Sequence, residues 1–333
     1  MRAWRDGMRR VNRAPAILFG VWALTLLVSV PLAAAVRAML ADHLGASLAA
    51  ESAASGVNYD WMQEFGDQAT GLGVTFKPTI IGFGAVLDNL SAFLDNSTRP
   101  IVIVGAAAAY IVLWIFLEGG ILDRYARDRA TRPAGFFAAT GVFFFRFLRL
   151  AVVQWLTYAL IFDVVHKWLF DEFYPRLIHD FTAERTAFFV RVALYLLFGA
   201  MVAALTTIFD YAKVRAIVED RGSMIGAIRA AVGFIARHAA ATTGLFLVNF
   251  AMFIAVVAVY GLIAPGVWRA GLMTWIAFAI GQAYVLGRLW VKLVFWASET
   301  ALFQSRLAHA GYVARAEPVW PESPAAESLA PLL

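Results

Sequence analysis

Arg288 and Lys292 stand four residues apart in an otherwise apolar stretch, so a helix would carry both cations on one face, with Phe295 and Glu299 continuing it. A charge inside an apolar segment is costly and marks a binding or transport site, unless a long side chain carries it to the membrane interface. The pair therefore has two readings. One is an anion or lipid-headgroup site; the other is a pair of snorkelling side chains balanced by Glu299 or Asp210. Three acids, Glu118, Asp210 and Glu299, each close an apolar block. Brought together they could take a cation or relay protons; kept apart they would pair with neighbouring Arg residues. His166, Asp171, Glu172, His179, Asp180 and Glu184 supply metal-ligand types but not a compact spacing such as two His four apart on a helix, so no metal site is expected.

Other chemistries are excluded by what is missing. The chain has no Cys, which removes disulfides, thiolate nucleophiles and zinc-thiolate sites. No phosphate loop, Gly-x-Ser-x-Gly elbow or His-Glu-x-x-His is present. We therefore expect no catalytic residue, no cofactor and no enzyme. The net charge of +5 comes mainly from Arg at the ends of apolar blocks, a placement that speaks of membrane orientation and not of nucleic acid.

The elements that would hold these residues follow from the apolar blocks. Of the 333 residues 61% are hydrophobic and 15% charged, against roughly 45–50% and about 25% in soluble domains. The blocks are about 20 residues long, enough to cross a ~30 Å hydrocarbon layer. Six spans are expected, near Pro15–Val36, Pro100–Leu117, Leu150–Val165, Phe188–Phe209, Ala241–Ile263 and Gly271–Ala297. Arg and Lys crowd the segment before the first span and the connections between spans two and three and between four and five. The connection from Leu40 to Ser97 carries seven acids against Lys77. Basic connections stay inside, so both termini should be cytoplasmic. The acidic insert, about 40–98, should be a helical hairpin at the outer surface, with Ile80, Phe83, Leu87, Leu90 and Leu94 on one helix face and an aromatic segment containing Trp61 and Phe65 before it. The membrane domain is expected over 1–313. A Pro-rich tail, 314–333, is too poor in apolar surface to order itself. Gly105 with Ala109, and Gly199 with Ala203, are spaced for close helix packing.

An offset of 92 residues aligns the two basic connections without a gap. Glu118 falls on Asp210, Asp128-Arg129 on Asp220-Arg221, Thr131 on Ser223, Ala138-Ala139 on Ala230-Ala231 and Gly141 on Gly233. Each unit would end a span on an acid, break near the Asp-Arg pair and restart at an N-cap, Thr131 or Ser223. An interfacial helix would follow, with Phe136, Thr140, Phe143 and Phe147 matching Ile228, Val232, Ile235 and Ala239 as its apolar stripe. Glu299 ends span six in the same way. The fold expected is all-α: a polytopic membrane protein of six transmembrane helices in three pseudo-repeated hairpins, with interfacial helices.

The run Asp210-Tyr211-Ala212-Lys213-Val214-Arg215, with Glu219-Asp220-Arg221, Ser223, Ala227 to Ala231 and Phe234, resembles a class of bacterial multi-spanning proteins. The class includes the membrane domain attached to some glycerophosphoryl diester phosphodiesterases. The resemblance covers spans four to six. It implies a helical module of the bacterial inner membrane without assigned chemistry, and the phosphodiesterase activity does not carry over because no such catalytic domain is present. The function expected first is an accessory or scaffold subunit, offering Trp61, Phe65 and Phe83 to a membrane protein partner. The alternative is a lipid or amphiphile transporter that reads an anionic head with Arg288 and Lys292. Membrane lipids are partners under either reading.

Overall fold

The computed structural model describes residues 1–306 except 46, 56–57, 78, 80–81, 221, 265 and 267–270. The Pro-rich tail lies outside the described residues. Among the described residues every regular element is a helix, and six are long and apolar enough to cross a membrane: Pro15–Gly45, Ile101–Arg127, Pro133–Ile178, Glu184–Val218, Ala239–Ile263 and Leu272–Ser305. Their outward faces are apolar, with side chains such as Leu27, Ile111, Phe145, Leu196 and Leu262 exposed. The chain is an all-α, multi-pass membrane protein.

The spans correspond to α2 (Pro15–Gly45), α6 (Val104–Arg127), α7 (Pro133–Leu160), α9 (Glu184–Val218), α11 (Ala239–Ile263) and α12 (Leu272–Ser305); shorter helices precede or join them. Three helices, α6, α9 and α12, run well past the ends of the apolar blocks that announce them. At 34 residues α12 is about 51 Å long, well beyond a ~30 Å hydrocarbon layer. Polar residues do not stop these helices, because the added turns are enclosed by protein. Residues Glu118 to Ala126 of α6 and Trp296 to Phe303 of α12 are buried without interruption, and in α9 nearly all of Phe209 to Val218 is buried. Few mid-span residues are buried by comparison. The core therefore sits at one end of the bundle, here called basal, where α6, α9 and α12 finish.

Amphipathic helices sheathe that core. α1 (Arg2–Asn12) lies along α12, burying Val11 and fitting Gly7 so closely that a Cβ there would stand 2.6 Å from Ser298 Cα. Arg10, which the sequence offers only as a flanking charge, is buried. It donates to the Tyr125 carbonyl at 2.7 Å and to Gln304 Oε1 at 2.8 Å while pairing with Asp6. The first turns of α7 pack on α6, where Gly119 and Gly120 admit Phe143, Thr140 and Phe136 at distances no side chain would allow. α10 (Met224–Arg237) packs on α9 and is separated from α11 by a break at His238.

Three expectations are corrected. Gly105 and Gly199 face open space, so the close approaches lie at Gly7, Gly119 and Gly120 and not at the small-residue pairs in mid-span. Thr131 does not cap α7. The cap position is Arg132, without a side-chain bond, whereas Ser223 does cap α10 by accepting from the Gly226 amide at 3.2 Å. Nor is Ile228, Val232, Ile235 and Ala239 the buried stripe; α10 buries Met224, Ala227, Ala231 and Phe234. The reason is one residue of length. Asp128 and Asp220 both adopt the left-handed conformation after their helices, but α7 starts at Pro133 and α10 at Met224, five and four positions later. That single residue rotates the buried face by about 100°.

At the far end, α3 (Ala50–Ser55), α4 (Tyr59–Gln68) and α5 (Phe83–Leu94) form the insert. Asn58 caps α4 by accepting from the Trp61 amide at 3.0 Å. α7 continues as π-helical turns, Ile161–His166 and Trp168–Phe173, before α8 (Tyr174–Ile178).

Candidate functional site

The basal core brings together the three acids that sequence spacing leaves far apart. Glu118 and Glu299 are buried, and Asp210 sits beside them. Glu118 and Asp210 share Lys213 as their partner, and not the surrounding Arg residues. Its ammonium donates to Glu118 Oε1 at 3.0 Å and lies 3.8 Å from Asp210 Oδ1. Trp296 Nε1 completes Asp210's shell at 3.2 Å. Glu299 has Asp210 and Lys213 as its charged neighbours, and its Oε2, buried, makes no hydrogen bond. Lys213 stands in the run Asp210-Tyr211-Ala212-Lys213, and its i to i+3 spacing from Asp210 was the signal for this pairing. Among the described residues no group of three or more acids and histidines could hold a metal ion. A cation already occupies the middle of the acids.

Lys292 has a different environment. Its ammonium stands 3.8 Å above the Trp114 ring centre and 5.1 Å from that of Trp296, a cation–π seat formed by α6 and α12. Glu118 and Asp210 are close enough to attract it but not to form an ion pair, and it donates no hydrogen bond to the described residues. The side chain is exposed although it points toward α6. Arg288, one turn earlier and also exposed, lies over Tyr284 at 5.6 Å, and Tyr284 stacks on Tyr260 of α11 at 4.0 Å. The two cations thus stand on one side of α12, against rings of α6 and of α12 itself, with no hydrogen bond or ion pair to the described residues. Such a pair can receive an anion.

Trp61 and Phe65 have an internal place. They are 6% and 3% exposed and pack with His43 and Phe76, and the indole of Trp61 donates to His43 Nδ1 at 2.9 Å. Phe83 lies half-buried against Tyr260 and Gly261. These three rings build the insert and dock it on the spans, so the outward apolar face of α5 is carried by Leu87 and Leu90 instead, while Phe93 packs on Phe162 and Phe198. Arg191 is a tether: its Nε donates to Tyr195 Oη at 2.9 Å and its Nη2 reaches Asp95 at 3.4 Å. Tyr195 donates to Asp95 at 2.6 Å, and that bond is the main reason the Asp95 carboxyl is held below the usual carboxylate range. His166, buried among Phe162, Phe170 and Phe198, bonds the Leu94 carbonyl at 2.7 Å and so fixes the end of α5 to the π-helical turns. His179 pairs with its neighbour Asp180.

No family model, no curated protein and no solved structure matches the chain.

Proposed function

We propose that this chain is a non-enzymatic protein of the bacterial inner membrane that binds and carries an anionic amphiphile between its spans. The observation that carries the reading is the Lys292 ammonium: pinned on two indoles where α12 faces α6, with no ion pair or hydrogen bond to the described residues. Arg288 adds a second cation one turn away. An anionic head met by these donors, with its tail among apolar spans, satisfies both ends of an amphiphile.

The basal end is cytoplasmic in this proposal, because it gathers Arg2, Arg5, Arg9, Arg13, Arg127 and Arg129 while the insert at the far end is acidic. Both termini then lie inside. The three basal helices, each ending beyond an acid and each sheathed by an amphipathic helix, support a three-unit pseudo-repeat that α1 closes by packing on α12. We include in the same proposal the likeness of this architecture to the membrane domain named above.

A second reading, an accessory or scaffold subunit with a membrane protein partner, is favoured by the exposed Leu87 and Leu90 on α5. Native mass spectrometry of the protein extracted in its own lipid patch separates the two. Amphiphile handling expects a retained anionic lipid and no stoichiometric protein partner. A stoichiometric protein bound through the insert, with no anionic lipid retained, would overturn it in favour of the subunit.

A further inference from the structure

A cleft lies beside α6, away from Lys292. There α2, α6 and the beginning of α7 enclose about 600 Å³, within the size range of small-molecule pockets. Its walls are apolar: Ile17 and Leu24 from α2, Leu113 and Phe116 from α6, Phe136 and Phe137 from α7. Two guanidinium side chains stand at its basal end, Arg13 and Arg124. Arg13 is exposed at the mouth. Arg124 is only 7% exposed, yet its Nη1 is buried without any hydrogen-bond partner.

An orphaned guanidinium nitrogen in a closed setting is expensive, and an Arg fork matches the oxygens of a phosphate. Asp128 attracts Arg124 but forms no ion pair with it and is reached instead by Arg9 at 3.6 Å, while Arg10 and Arg13 repel it. The N-terminal ends of α2 and α7, which begin at Pro15 and Pro133, border the same end of the cleft and add their partial positive charge. Cation at one end and hydrocarbon along the rest is the pattern of a phospholipid.

We propose that this cleft holds one anionic phospholipid of the surrounding leaflet, its phosphate on Arg124 and Arg13 and an acyl chain between α2 and the phenylalanines of α7. The site is separate from the Lys292 face, since Lys292 is not among its walls. A lipid seated here would tie the N-terminal span to the second hairpin along a line where the protein itself leaves a gap.

The experiment is a titration of delipidated protein in neutral detergent, followed by native mass spectrometry. The probes are phosphatidylglycerol, phosphatidylcholine and inorganic phosphate. The wild type is expected to take up phosphatidylglycerol in preference to phosphatidylcholine. Arg124→Gln should lose one bound phosphatidylglycerol, with at least a roughly tenfold fall in its affinity. Gly20→Phe should lose the same lipid by a different route, because Gly20 lines the cleft and a Cβ there meets nothing. Arg124→Gln should remove the same lipid when added to an Arg288→Gln, Lys292→Gln background, so failure of this site and failure of the carrier reading are told apart. The proposal is overturned if Arg124→Gln and Gly20→Phe both bind as many lipids as the wild type. It is also overturned if inorganic phosphate displaces the lipid at equal concentration, which would make this a free-anion site.

Discussion

The Lys213 ammonium donates to the Glu118 carboxylate at 3.0 Å, joining α9 to α6 across 95 positions of the chain in a region closed to water. Removing one partner of a buried pair strands the other charge. Glu118→Leu is expected to cost roughly 3–5 kcal/mol of stability, and the double variant Glu118→Leu, Lys213→Met less than that. Thermal unfolding in detergent reads the difference. A single variant as stable as the wild type would contradict the pairing.

Gly7 and Gly105 predict opposite outcomes for the same substitution. A Cβ at Gly7 meets Ser298 backbone at 2.6 Å, whereas at Gly105 it meets open space. Gly7→Ala should cost about 1–3 kcal/mol by overpacking and expose α1 to protease, while Gly105→Ala should do neither. Equal protease sensitivity in the two variants would mean that α1 does not seat on α12.

Acid should loosen the insert. Hydrogen bonds from Tyr195 and Ser91 and the charge of Arg191 hold the Asp95 carboxyl below its unfolded value. A depressed carboxyl contributes stability above the unfolded pKa of about 3.9 and loses it as pH falls through the folded value. The protection of α5 amides against hydrogen exchange, relative to the intrinsic rate at each pH, should therefore fall below about pH 4 in the wild type. In Asp95→Asn the acid-dependent step should be smaller. An unchanged step would show that Asp95 does not carry it.

Single cysteines test the orientation, since the chain has none of its own. Ser91 and Ser223 are exposed at opposite ends of the bundle. Ser91→Cys should label from outside the cell and Ser223→Cys only after the membrane is opened. Labelling of both from one side would reverse the proposed topology.

The spans were legible because the hydrocarbon layer demands long apolar blocks, and any chain meeting that demand shows it. What the blocks concealed was how far the helices continue. Enclosure by protein, not lipid, stabilises the turns after Glu118, Asp210 and Glu299, and such turns need no apolar run. Arg10 reads in sequence as one of several flanking charges, and only the packing of α1 on α12 gives it buried acceptors. Arg288 and Lys292 were visible as costly charges, but the indoles that seat Lys292 include Trp114, 178 positions away, which no local pattern connects to it. The aromatic segment of the insert was read as a surface. Its alternation of large rings suits a small core equally well, and His43 at the end of α2 decides for the core by taking the Trp61 indole proton.

The central claim is that Lys292 and Arg288 receive an anionic head. The direct measurement is the rise in unfolding temperature on adding phosphatidylglycerol to delipidated protein, made in an Arg124→Gln background that removes the peripheral cleft. A specific site saturated at a hundredfold over its Kd adds about 2.7 kcal/mol. The account predicts a clear rise with phosphatidylglycerol, none with phosphatidylcholine, and loss of the rise when Arg288→Gln and Lys292→Gln are added. A rise of the same size in that triple variant would contradict it.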